Sequence, residues 1–270
     1  IFYKNFIRMK ILITGATGFV GKKLVSALEN NYNLNILSRK KINRKNVFVG
    51  DLFDKNLLLE ASKVDVVIHV AGITKGNVMK INSLGTKNLV EACIVNNVDK
   101  FIFISSYNSI LKTKYGESKK SAEKYVRDSG LNYIILRPTI IYGEGNNKDF
   151  DMLVKIIKKY SIAIIPGNGE MKMQPLLVDD LVGLISQIIK SDRKNKTYFV
   201  AGEVLSFKEI VNKICKVLSK KAIKIYLPKF AIKIIDCSLL LDKTCKLEDI
   251  KKDFNFNPTL FERGISYIKA

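Results

Sequence analysis

Lys10-Ile11-Leu12-Ile13-Thr14-Gly15-Ala16-Thr17-Gly18-Phe19-Val20-Gly21 is the stretch on which the reading of this chain turns. A short apolar run is followed by three glycines spaced three apart, and then by an amphipathic stretch over 20–29. That order reads as a buried strand, a tight turn and a helix. Gly15 permits the turn, Gly18 lets the backbone come close to a pyrophosphate, and Gly21 lets the helix pack near the sheet. The positive end of the helix dipole then faces the ligand, so Thr17, Phe19 and Val20 join the glycines as candidate dinucleotide contacts. Glycines alone would serve equally in a turn that binds nothing; the strand before and the helix after favour the dinucleotide.

Outward from this stretch the same rhythm recurs. Apolar runs at 33–38, 47–50, 64–71, 100–105 and 133–137 alternate with helix-like stretches at 81–96 and 115–128. Such alternation predicts an α/β fold: a Rossmann-like, doubly wound parallel sheet with crossover helices on both faces. Beyond Pro138 the pattern changes, with helices expected at 150–160, after Asp179-Asp180 and at 206–218, a turn at 166–169 and a strand at 197–201. The expected division is a dinucleotide-binding domain over 9–165 and a smaller, partly interleaved substrate-binding portion over 166–270. Met9 directly precedes the first strand, so residues 1–8 read as an upstream extension.

The end of the second strand bears on the cofactor. A carboxylate there hydrogen-bonds the free ribose 2′-hydroxyl of NAD, whereas a cation suits the 2′-phosphate of NADP. Here stand Ser38, Arg39 and Lys40, with no acid, so NADP is favoured over NAD. Asp51 and Leu52 follow the third strand, where a carboxylate can meet the adenine amino group; a plain loop cap is the alternative for Asp51.

Chemistry is suggested by Tyr115 and Lys119. Their i, i+4 spacing puts a phenol and an ammonium on one face of a helix, at the carboxyl edge of the sheet where such folds bind ligands. A free Tyr has a pKa of about 10, so ionising it at neutral pH takes about 4 kcal/mol. A neighbouring cation supplies part of that.

With these residues in place the chain resembles the short-chain dehydrogenase/reductase superfamily, in its extended epimerase/dehydratase-like branch, from Met9 almost to the end. The resemblance implies that Tyr115 is the general acid/base, that Lys119 lowers its pKa and holds the nicotinamide ribose, and that Ser106 hydrogen-bonds the reacting oxygen. It also implies that Asn82, Ala71 and Gly72 line the cofactor, and that the protein is a homodimer formed through the helices bearing Tyr115. Leu136-Arg137-Pro138, Ile141-Tyr142-Gly143 and Val178-Asp179-Asp180-Leu181 fit the same branch. Members of this branch that act on nucleotide-diphosphate sugars share this layout, which makes a 4-epimerase or 4-keto-sugar reductase working by hydride transfer the leading expectation. Two features depart from it. Only eight residues separate Ser106 from Tyr115, and the segment 172–175 lacks the arginine such enzymes aim at the diphosphate, leaving Lys172 as a point-charge substitute. An NADPH-dependent reductase of another small carbonyl, or a cofactor-binding sensor or assembly factor with little catalysis, therefore stays open.

Composition limits the remaining classes. The chain of 270 residues carries a net charge of +21, yet 39 of its 46 basic residues are Lys, scattered along the sequence with no Trp and seven Arg. Nucleic-acid readers rely on Arg forks and aromatic platforms, so no nucleic-acid partner is expected. Four cysteines without a CxxC and a single histidine predict no metal centre, and the sparse thiols suit a reducing cytoplasm. His69, inside a strand, reads as structural. No apolar run is long enough to span a membrane. The stretch 227–236 mixes apolar residues with Lys and reads as a core or lid helix in preference to a helix lying on a membrane.

Overall fold

The computed structural model describes residues 8–145, 149–228, 230 and 241–268. The chain falls into two compact units, 1–137 with 182–198 and 138–181 with 199–270.

The first unit is built on a seven-stranded sheet. Its strands are β1 (Lys10–Thr14), β2 (Asn33–Ser38), β3 (Val47–Val49), β4 (Val66–His69), β5 (Lys100–Ile104), β6 (Tyr133–Pro138) and, at the far edge beside β6, the strand Lys196–Val200. The pairings of β1 with β2 and β4, of β2 with β3, and of β5 with β4 and β6 are parallel. The chain winds from β1 through β2 to β3 at one edge, then returns to β4 on the other side of β1. That reversal beside β1 is the point at which open α/β sheets bind ligands. Strand residues fully shut off from water, such as Leu12, Val67, Phe101 and Phe103, share a core with Leu89, Cys93, Ala122 and Val126 from the helices α3 (Gly85–Val95) and α4 (Lys114–Arg127). Both faces of the sheet are covered, which is why its strands read as near-continuous apolar runs.

Two shorter helices complete the front of this unit: α1 (Phe19–Leu28), directly after the glycines, and α2 (Lys55–Ala61), capped by the Asp54 carboxylate on the Leu57 amide. The stretch expected as one helix over 81–96 is interrupted, because a wide π-type turn over Met79–Leu84 precedes α3. Asn82 lies in that turn.

The second unit has its own core. Helix Asp149–Tyr160, the strand Ile162–Pro166 and helix Phe207–Val217 pack Val154, Ile157, Ala163, Ile165, Ile210 and Ile214 together with Tyr142 and Phe261. A boundary near 165 is therefore replaced by one at Arg137/Pro138, since 138–165 buries its apolar side chains in this second core, and 182–198 returns to the first unit. The strand Ile162–Pro166 pairs in parallel with Ile223–Leu227. Most of the stretch 227–236, read as a core or lid helix, lies outside the described residues, as do residues 1–7. Among the described residues no helix is long and apolar enough to cross a membrane.

Candidate active site

The glycine turn closes as a cradle. Gly15 has φ +73°, and a Cβ there would stand 2.7 Å from the Ala71 amide nitrogen; one on Gly21 would lie 2.1 Å from the Gly15 carbonyl oxygen. Neither position admits a side chain without moving backbone. The Gly18 amide donates to the Gly15 carbonyl at 3.0 Å, and Gly18 then caps α1 with no side-chain hydrogen bond and no acid in the first turn. Leading amides without a capping side chain at a positive helix end form an anion site. Thr17 is exposed and Phe19 and Val20 are half-buried at this mouth. The glycines let strand, turn and helix close on one another, and the uncapped, acid-free start of α1 suits a dinucleotide's pyrophosphate.

A chain of hydrogen bonds fastens this turn to its neighbours through His69. The Ala71 amide donates to Thr14 Oγ1 at 3.2 Å, and Thr14 Oγ1 lies 2.6 Å from His69 Nδ1. On the other side of the ring His69 Nε2 is 2.8 Å from Thr86 Oγ1, whose single proton goes to the Asn82 carbonyl at 2.6 Å. Thr86 must therefore accept from Nε2–H, leaving Nδ1 to accept from Thr14. Burial, with Lys119 adding repulsion, drives the imidazole pKa down to about 3, so the ring is neutral and its tautomer is set. It stacks on Phe103 at 5.4 Å. His69 is structural, as the sequence indicates, and it ties together the ends of β1 and β4 and the turn bearing Asn82.

At the end of β2, the Ser38 hydroxyl donates to the Lys40 carbonyl at 2.8 Å and accepts from the Lys40 amide, while the Arg39 side chain is exposed. The Asp51 carboxylate accepts from the Phe53 amide at 2.8 Å, as a loop cap does, and remains exposed; Leu52 is buried, with its carbonyl held by Asn88.

Ser106, Tyr115 and Lys119 come together at the carboxyl end of β5. Thr113 caps α4 through the Gly116 amide, which starts the helix so that Tyr115 and Lys119 face the sheet one turn apart. Ser106 hydrogen-bonds Tyr115, and it also caps the short 3₁₀ turn over Tyr107–Ile110, which uses up half of the eight-residue span between them. Burial raises the Tyr115 phenol above its ordinary value and the Ser106 hydrogen bond works against that rise. Lys119 is buried; its Nζ donates to the Ile104 carbonyl at 2.9 Å and sits 4.8 Å from the Phe103 ring centroid. Burial lowers its pKa to about 8, resisted by the charge of Glu123. The expected lowering of Tyr115 by Lys119 is not found: the phenol is raised by its burial, and the group that works against the rise is Ser106.

Gly72 lies against this pair: a Cβ on it would be 3.2 Å from Asn82 Oδ1 and 3.4 Å from Lys119 Nζ. The Asn82 amide accepts from the Ile73 amide at 2.8 Å, donates to the Ile73 carbonyl at 2.8 Å and to Ser118 Oγ at 3.0 Å, and so locks the loop after β4 onto α4. Lys172, by contrast, belongs to the second unit, on the strand Lys172–Met173, where its exposed charge acts on Glu209.

Sequence reasoning missed the group behind Lys119. Glu123, fully buried, accepts from Ser105 Oγ at 2.6 Å and from Arg137 Nε at 2.9 Å and Nη2 at 2.6 Å, with Arg127 at 3.1 Å. Burial pushes its carboxyl up, but the bonds from Arg137 and Ser105 prevail and hold it below the ordinary value. The available signal was spacing: Tyr115, Lys119 and Glu123 recur every four residues, so a carboxylate on the sheet-facing side of α4 needs a buried cation.

Comparison with known proteins decides the family, because the model of the NAD dependent epimerase/dehydratase family matches residues 11–202. The chain belongs to that family. It is 28% identical over 265 residues to a UDP-glucose 4-epimerase of Vibrio cholerae, covering 83% of this chain and 80% of that protein. It is 26% identical over 253 residues to the N-acetyl-alpha-D-glucosaminyl-diphospho-ditrans,octacis-undecaprenol 4-epimerase of Escherichia coli O157:H7, covering 81% and 75%. Among solved structures, the UDP-glucuronic acid 4-epimerase of Bacillus cereus in complex with NAD superposes with a TM-score of 0.81 at 22% identity, over 96% of this chain and 97% of that one. Family membership and the glycine cradle agree on a nicotinamide dinucleotide, and the relatives named are enzymes.

Proposed function

We propose that this member of the family is a nucleotide-sugar epimerase or reductase acting at a sugar carbon that passes between alcohol and ketone. The observation that carries the reading is Lys119, buried one turn from Tyr115 on α4, held by the Ile104 carbonyl at the end of β5 and bordering Gly72 and Asn82. The nicotinamide, when bound, takes up or returns the hydride. Tyr115 holds the proton that leaves the sugar hydroxyl or is given back to the ketone, and its raised pKa keeps it a proton donor at neutral pH. Ser106 orients the same oxygen, and its donated hydrogen bond favours the phenolate when Tyr115 acts as base. Lys119, with a pKa near 8, is largely cationic at neutral pH and is held by Ile104 where it can meet the ribose.

The remaining assignments are proposals of the same standing. Gly15, Thr17, Gly18, Phe19, Val20 and Gly21 hold the pyrophosphate, Asp51 and Leu52 the adenine, and Ala71, Gly72 and Asn82 the nicotinamide half. Arg39 selects NADP over NAD; Lys172 meets the diphosphate of the sugar nucleotide. The protein works in the cytoplasm as a homodimer. Incubation with UDP-sugars and either cofactor tests the function: appearance of the C4 epimer with no net consumption of cofactor supports an epimerase, and stoichiometric oxidation of NADPH supports a reductase. A reductase of a different carbonyl is favoured by one feature, the absence of arginine from 172–175, and turnover of such a carbonyl with none of any sugar nucleotide would establish it instead.

A further inference from the structure

The second unit exposes a sheet face that its own core does not use. In the parallel pair Ile162–Pro166 and Ile223–Leu227, Ala163 and Ile165 point into the core, so Ile162, Ile164 and Pro166 point the other way. Their register partners are Ile223, Ile225 and Leu227. All six are apolar. Ile164 is 45% exposed, Ile223 70% and Ile225 45%, a continuous apolar strip of the kind that marks a binding surface.

Charge defines the partner. Lys158 and Lys159 close the helix that leads into the first strand, and Lys220 and Lys221 lead into the second; all four are exposed. Neither 152–169 nor 210–228 contains a single Asp or Glu apart from this lysine-rich framing. A symmetric contact with a second copy would set these lysines against each other, since an isologous interface meets itself. The cationic framing suits instead a surface that is itself apolar below and anionic above.

We infer that this face docks the protein on an anionic lipid surface, with Ile164, Ile223 and Ile225 entering the headgroup region and the lysines engaging lipid phosphates. The inference is independent of the reaction catalysed. It is tested by sedimenting the full chain with vesicles of phosphatidylcholine alone or mixed with phosphatidylglycerol. Wild type is expected to partition onto the mixed vesicles and not onto phosphatidylcholine. The double variant Ile223→Ser/Ile225→Ser, whose side chains are exposed and whose fold is checked by thermal melting and cofactor binding, is expected to lose about tenfold or more of that partition. Lys220→Glu/Lys221→Glu is expected to lose a similar share. Absence of binding to the mixed vesicles overturns the inference. So does undiminished binding of the serine variant, which marks mere adhesion of a +21 chain. A drop in the mass of the protein in sedimentation equilibrium on the serine substitutions also overturns it, since it assigns the face to a second copy.

Discussion

Tyr115 is pulled two ways, upward by burial and downward by Ser106, and the balance leaves its phenol above the ordinary value. Its removal as Tyr115→Phe deletes the transferable proton but keeps the ring, so turnover is expected to fall by about 10²–10⁴ while calorimetry finds cofactor affinity unchanged. In the direction in which Tyr115 accepts a proton, the rate rises with pH, and Ser106→Ala shifts that rise to higher pH because the phenolate loses a donor. His69 carries a different pH dependence. Its folded pKa of about 3 lies below the 6.5 of the unfolded chain, so the unfolded state binds the extra proton first. The stability tied to the neutral ring is complete above 6.5 and falls with pH through the window down to about 3, by about 2 kcal/mol at pH 5. Urea midpoints of wild type are therefore expected to drop from pH 7 to pH 5 by more than those of His69→Gln, which has no such proton to gain. Arg39 is exposed and makes its case through charge alone; Arg39→Ala is expected to cost about 1.5–3 kcal/mol in NADPH affinity and to leave NADH affinity unaltered, as read by titration calorimetry.

Among the elements, the turn between β1 and α1 is the least tolerant. Gly21→Ala places a methyl 2.1 Å from the Gly15 carbonyl, which is backbone and cannot swing aside, so helix and strand must separate. A loss of about 1–3 kcal/mol in thermal unfolding is expected, with weaker cofactor binding as the cradle opens. At this scale the sequence was readable where period and punctuation agree. β1 and β2 span the apolar runs at 10–14 and 33–38, and α4 starts one residue before Tyr115 because Thr113 caps it. The turn over Met79–Leu84 was not readable, since its residues carry a helical pattern; what widens it is the demand of Asn82, bonded at once to Ile73 and Ser118. The Ile223–Leu227 strand was hidden for another reason. Its residues do alternate, Ile223-Lys224-Ile225-Tyr226-Leu227, but the run sits in a lysine-rich stretch and four of its five side chains are exposed, so no buried face marks it.

For the whole molecule, the residues proposed for the chemistry and the one proposed for the diphosphate fall on different units. The cradle, Ser106, Tyr115 and Lys119 lie in the first unit and Lys172 in the second. Lys172→Ala is accordingly expected to raise the KM for a sugar nucleotide severalfold while leaving cofactor affinity as it was, measured by initial rates and calorimetry side by side; a neutral carbonyl substrate would show no change in KM. By itself the sequence determined the α/β alternation, the glycine turn after β1 and the one-turn spacing of Tyr115 and Lys119, because each depends on neighbours within a few residues: a period, a turn, a helical repeat. Tertiary structure alone decided that 182–198 returns to the first unit, that His69 is neutral, and that Glu123 is sealed against Arg137. Those outcomes rest on burial and on partners far apart in the chain, and the free energy of a buried charge or ring is set by what surrounds it in space.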